Sequence, residues 1–296
     1  MILVVPRWGV AIHSVLLTLS MGMDQTRLQA QIVSCAILLW ASLPGAGYRA
    51  VGVAHLVALW FFAGLHKLLS VDHYAGSGLV GDGLRAFFYG NQVSPSGLIV
   101  FLSIAGAVLE IALAVCVLFL RTRRIGYLLV VLLHFVVLAV LVRAEFNSSV
   151  WARYVAVVCS AFVLFWGNRQ PITQFGRQVP AWAWMVAAFL LVSPIGFYFE
   201  RMDAYLAHCL YSTDKPRGIL IRPNEPGGTS GTPTLLNEVA KFTLNVAILP
   251  VHRLFEMYVR VSETTQTGDL LYIEDCRPGA TLRGRDKRLF RLHKSR

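Results

Sequence analysis

Lys67 closes the run Leu59-Trp60-Phe61-Phe62-Ala63-Gly64-Leu65-His66-Lys67, near the end of an apolar stretch. An ammonium against hydrocarbon is costly, so a lysine there has two readings. It is an anchor whose butyl stem stays in lipid while its head reaches water. Alternatively, it is a working base beside an apolar pocket, since apolar surroundings favour the neutral amine that accepts a proton. Helical spacing places Ala63, Gly64 and Trp60 behind it, two small residues and one large aromatic. That pattern suits a closely packed helix face or a slot for a flat ligand.

His66 points about 100° away from Lys67 and shares a helix face with His55, three turns earlier. Both histidines either bond to neighbouring helices or belong to a ligand site. Glu110 stands eleven residues before Arg121, and His134 ten residues after Arg124. At 1.5 Å per residue each lies about 15 Å from the basic "RTRR" turn, so the two are expected to meet near the membrane midplane. A Glu110–His134 pair is a structural clamp or a proton relay. Ser103, Gly106, Ala107 and Ala114 form a small-residue stripe around Glu110, the mark of a helix face packed on protein. Lys67 is expected roughly 10 Å further out along the membrane normal, beyond direct reach of Glu110.

The stretch 70–91 adds Asp72, His73, Tyr74 and Asp82, and reads as an interfacial segment over the outer mouth beside Lys67, with "FFY" at headgroup level. Its glycines do not form a phosphate loop, and the chain carries no HExxH, GxSxG or kinase signature. No CxxC or Cys/His metal spacing is present.

The elements that must hold these groups are apolar. The 296 residues are 56% hydrophobic and 15% charged, with a mean hydropathy of +0.58, where soluble domains carry about 25% charge. Residues 1–199 hold five of the 16 acids (Asp24, Asp72, Asp82, Glu110, Glu145), so residues 200–296 hold eleven. This division predicts a membrane domain over 1–199 and a water-exposed part over 200–296. Apolar windows fall at 8–23, 29–44, 50–69, 97–120, 125–143, 150–167 and 181–199. Spanning takes about 20 residues, a length that the third, fourth, fifth and seventh meet. The opening "MILVVPRWGVAIHSVLLTLSMG" lacks a small-x-small cleavage site and reads as a helix. The expected fold is an all-α polytopic membrane protein of about seven transmembrane helices, with a small C-terminal extracytoplasmic α+β or β cap.

Short-loop arginines set the orientation. An inner N-terminus puts Arg7, Arg49, Arg121, Arg123, Arg124, Arg169 and Arg177 inside, against Arg27, Arg85, Arg143 and Arg153 outside, so the C-terminal part is expected outside the inner membrane. After residue 200 an amphipathic continuation of the last span is expected over 200–212, then a loop in "RPNEPGGTSGTPT". Strand-like runs follow at "FTLNVAILP", "RLFEMYVRVS" and "DLLYIED". Cys209 and Cys276 are a candidate disulfide if that part is oxidised. The net charge of +11 is accounted for by basic loops and a basic tail beside anionic lipid, without nucleic acid. The expected partners are the lipid bilayer, a lipid-soluble small molecule and an extracytoplasmic protein.

The Ala-Gly-x-x-Lys-Leu motif (Ala63, Gly64, Lys67, Leu68), a following span with an internal acid ("AGAVLEIAL"), the "RTRR" turn and a span with a central "LLHF" form a familiar series. Over about residues 50–167 the chain resembles the horizontally transferred transmembrane (HTTM) domain family of vitamin K-dependent γ-carboxylase-like proteins. The resemblance implies a carboxylase- or lyase-like membrane enzyme with a quinone or vitamin K hydroquinone-like cofactor. It puts Lys67 at the position of the catalytic base and His134 at the family's histidine after the arginine-rich turn. Trp60, Gly64, His66, His73 and Glu110 are the candidate cofactor contacts. The same residues resemble DoxX/MauE-like membrane proteins, which implies an accessory role in quinone-linked or thiol redox metabolism without a catalytic base. A membrane scaffold for an extracytoplasmic partner is the third, non-enzymatic alternative.

Overall fold

The computed structural model describes residues 6–23, 30–76, 78–90, 96–143, 151–166, 178–199, 201–203, 206–209 and four strands between 217 and 291. Helix α1 spans Pro6–Met23, α2 Ala30–Ala41 and α3 Ala46–Leu69. Two shorter helices follow, α4 over Val71–Tyr74 and α5 over Gly78–Tyr89. Helix α6 covers Ser96–Cys116, α7 Arg123–Arg143, and α8 Trp151–Ala161 with a π-helical turn at Phe162–Trp166. The last, α9, is Ala181–Val192 and tightens into a 3₁₀ helix over Ser193–Phe199. Pro194 accounts for that change, because it lacks the N–H that an α-helical bond would need.

All seven apolar windows contain helix. Four helical stretches are long and apolar enough to cross a membrane: Ala46–Leu69, Gly97–Cys116, Arg123–Arg143 and Ala181–Phe199. They are the third, fourth, fifth and seventh windows. Their outward surfaces carry large apolar side chains, with Phe135 70% and Met185 68% exposed. Apolar surface on that scale fits an integral membrane protein, because water-facing surfaces are seldom so continuous in hydrocarbon.

Local chemistry sets the helix ends. Ser70 terminates α3 in an extended conformation and donates its N–H to the Lys67 carbonyl. The "RTRR" turn closes α6 on itself: Thr122 Oγ1 donates to the Cys116 carbonyl at 2.8 Å, and Arg123 Nε to the Val117 carbonyl at 3.1 Å. These side chains satisfy carbonyls that a helix C-terminus otherwise leaves orphaned. Arg123 is therefore buried, not spread at an interface.

Helix directions follow from which residues meet. A Cβ placed on Gly64 would lie 2.5 Å from the Ala107 carbonyl, and one on Gly76 would lie 3.0 Å from Val100, so α6 runs antiparallel to α3. Tyr127 meets Phe162 and Trp166, while His134 meets Tyr154, so α8 runs antiparallel to α7. Gly47 packs on Trp182 and His66 on Phe197, so α9 runs parallel to α3. Helix α3 is the hub, and Leu56, Leu59 and Trp60 join Leu113, Leu133 and Phe165 in the main apolar core.

The chain beyond α9 departs from the expected amphipathic continuation. The helix stops at Phe199, and residues 206–209 turn back against α3, with Ala207 and Cys209 fully buried. Strands β1 (Arg217–Pro223), β2 (Gly231–Leu235), β3 (Leu270–Glu274) and β4 (Lys287–Arg291) then form an antiparallel sheet in the order β2-β1-β3-β4. The "DLLYIED" run supplies β3. The Gly/Pro-rich stretch, expected as a separating loop, instead has its two ends in β1 and β2, pairing Ile219 with Leu235 and Pro223 with Gly231. The expected runs at 242–250 and 253–262 lie outside the described residues, as do Cys276 and the side chain of Asp72.

Candidate functional site

Lys67 and Glu110 form a buried ion pair, Nζ donating to Oε1, with side chains 9% and 10% exposed. This corrects the expectation that about 10 Å of depth separates them. The physical reason is the direction in which helical side chains lean. Each Cα–Cβ bond tilts toward its own helix N-terminus. In an antiparallel pair, Lys67 near the end of α3 leans inward while Glu110 leans toward the start of α6, and the two close the axial gap between their backbones. Gly64 allows the approach, because α6 lies against its Cα: a Cβ there would meet Ala107 O at 2.5 Å, Ile111 Cγ1 at 2.8 Å and Glu110 Cβ at 3.1 Å.

The expected Glu110–His134 pair is not formed. His134 Nδ1 donates to the Val130 carbonyl one turn back at 2.9 Å, and its ring stacks edge-on with Tyr154 (5.3 Å) and Trp60 (6.5 Å). Once Lys67 reaches Glu110, the histidine is left to its own helix and to aromatic neighbours.

Four of the residues singled out in the sequence still converge. Lys67, Glu110, Trp60 and His134 line one cavity of about 180 Å³ between α3, α6 and α7. The rest of its wall is mainly apolar, including Leu59, Ala63, Leu133 and Val137, and α5 contributes Val80 and Leu84. The segment after α3 thus reaches this space through α5. Two lining residues escaped the sequence reading as site groups. Ser103 stands two turns before Glu110 on the same helix, a spacing that marks a shared face, but it reads there only as a small residue. Tyr154 sits near the start of α8, and no sequence signal ties it to Glu110.

Gly64, His66, His55 and His73 lie elsewhere. Gly64 is consumed by the α3–α6 contact. His66 faces α9 and the chain after it: Nε2 donates to the Ala207 carbonyl at 2.9 Å, and Nδ1 accepts from Tyr198 Oη at 2.6 Å. His55 is on the same side, 2.8 Å from Ser34 Oγ through Nε2, with its ring 5.4 Å from that of His208. His73 is buried beyond the end of α3 and does not line the cavity.

Among the described residues, no group of three or more His, Cys, Asp or Glu side chains is placed to hold a metal ion. The cavity is mainly apolar, with the Lys67–Glu110 pair forming part of its wall. No protein-family model, curated protein or solved structure matches the chain.

Proposed function

We propose that this polytopic membrane protein takes a flat, lipid-soluble, quinone-like molecule into the α3–α6–α7 cavity, with Lys67 as the basic group and Glu110 as its partner. One observation carries the reading: a buried ion pair forms part of the wall of an otherwise apolar cavity. A charge pair placed solely for packing gains nothing from adjoining empty space, since desolvating both ions is expensive. Beside a ligand, the same pair takes up or returns a proton as a unit. The resemblance to HTTM proteins, which rests on the residues around Lys67, agrees with a base at this position. By the arginine distribution the Lys67 end faces outward, and the strands after residue 217 form an extracytoplasmic cap.

A structural clamp is the second reading, favoured by the contact of Gly64 with Ala107 beside the pair. The two readings part in the double replacement Lys67→Met/Glu110→Leu, which removes both charges at similar volume. Purified protein and variant are extracted with organic solvent, and the lipids are compared by mass spectrometry. A ring-bearing lipid in the first and not in the second, with both well folded, is the expected result. Absence of any such lipid from the unmutated protein, together with loss of folding in the variant, sinks the ligand reading in favour of the clamp.

A further inference from the structure

On the reading that the cavity is a ligand site, its polar atoms specify what the ligand must bring. Three polar atoms on residues that line it are buried with no hydrogen-bond partner among the described residues: Glu110 Oε2, Trp60 Nε1 and Ser103 Oγ. The parent residues are 7%, 2% and 3% exposed. Native interiors leave few such groups unsatisfied, and each needs an explanation. All three belong to residues that line one cavity, so one molecule bound there is an explanation that would answer them together.

Their chemistry is not uniform. A carboxylate oxygen only accepts, an indole N–H only donates, and a hydroxyl does either. Lys67 occupies Oε1 of Glu110, so Oε2 remains as an acceptor that no donor reaches. A molecule with carbonyl oxygens alone suits Trp60 and Ser103 but turns a lone pair toward Glu110 Oε2, leaving a charged acceptor unsatisfied. A molecule with an O–H on an apolar ring suits the set, donating to Glu110 and accepting from Trp60 and Ser103 through its oxygen or a second polar substituent. Size narrows it further. An engineered apolar cavity of about 150 Å³ admits benzene, so about 180 Å³ holds one substituted ring, and larger substituents must leave through the open side of the site.

We infer that the cavity selects a single-ring phenol, its hydroxyl hydrogen donated to Glu110 and its oxygen, or a second polar substituent, held by Trp60 and Ser103. The hydroxyl is the feature recognised, and Glu110 is the residue that determines specificity.

The test uses the purified full-length chain in detergent with three probes: 4-propylphenol, its methyl ether and propylbenzene. Saturable binding is measured by equilibrium dialysis for the unmutated protein and for Glu110→Gln, in which an amide N–H replaces the accepting oxygen. The phenol is expected to bind about tenfold or more tighter than the ether in the unmutated protein, as befits a hydrogen bond to a charged acceptor. In Glu110→Gln that ratio is expected to collapse to about threefold or less. Trp60→Phe is expected to weaken the phenol while retaining its preference over the ether. Equal binding of phenol and ether to the unmutated protein overturns the inference and leaves the ring-slot reading standing. No saturable binding of any probe overturns both, the cavity then being a water-filled gap. The ratio in the unmutated protein decides the matter even if a variant misfolds.

Discussion

His66 and Lys67 are adjacent in sequence, lie on opposite flanks of α3, and have quite different surroundings. Toward α9, His66 has both ring nitrogens engaged, one by Ala207 and one by Tyr198, and Phe197 closes over its ring. Toward α6, Lys67 has a charged partner, but that partner keeps an unsatisfied oxygen and a cavity lies alongside. Polar groups buried for structure are satisfied within the protein, because an unsatisfied one costs about 1–3 kcal/mol. The α9 flank is therefore an anchoring surface, while the α6 flank borders a cavity and keeps an unsatisfied carboxylate oxygen. From sequence, helical spacing set the two about 100° apart and offered a slot beside Lys67, but left His66 open between a helix contact and a ligand site.

The difference can be broken or sharpened by substitution. The largest effect is expected from Gly64→Leu, whose side chain must occupy the space of the Ala107 backbone. It should cost more than the about 1–3 kcal/mol typical of overpacking and leave little folded protein on size exclusion. Next, Lys67→Met or Glu110→Leu alone should each cost about 3–5 kcal/mol in thermal unfolding, because each strands a buried charge. The double replacement should recover most of that loss, giving a large coupling energy in a double-mutant cycle. Glu110→Gln with His134→Gln, in contrast, should be additive to within about 0.5 kcal/mol, since no hydrogen bond joins them. Coupling there would restore the clamp that the structure does not form. On the anchoring flank, Tyr198→Phe should cost about 1 kcal/mol and leave ligand content unchanged by mass spectrometry. A change in ligand content with Tyr198→Phe would show that the two flanks are not separate.

The helices were readable because their lengths and compositions answer directly to the thickness of a bilayer. Each of the seven windows became helix, with ends adjusted at Pro194 and at the self-capped turn before Arg123. The pairing inside the bundle was less legible. Depth counted along the backbone placed Glu110 with His134 and out of reach of Lys67, because it treats side chains as points on the helix axis. Lysine and glutamate are long and lean in opposite senses in antiparallel helices, and Gly64 lets those helices come close. Trp60 and His134 were found because aromatic and imidazole groups are conspicuous in an apolar span. Ser103 and Tyr154 were missed because serine reads as packing and Tyr154 approaches from a third helix. In the C-terminal part, one Gly/Pro-rich stretch serves equally as a domain separator or a hairpin, and only strand register tells the two apart.

The parallel course of α3 and α9 has a consequence for the count of crossings. Two helices that traverse a bilayer in the same sense must be joined by an odd number of traverses, or the chain ends on the wrong side. Helices α6 and α7 are two of the candidate spans, and among the described residues between α3 and α9 the shorter apolar helix Tyr154–Trp166 is the one whose passage would make the number odd. The parallel course brings the ends of α3 and α9 to one end of the bundle, where His66 meets Phe197. The polypeptide therefore leaves α9 at the end of the bundle where Lys67 resides.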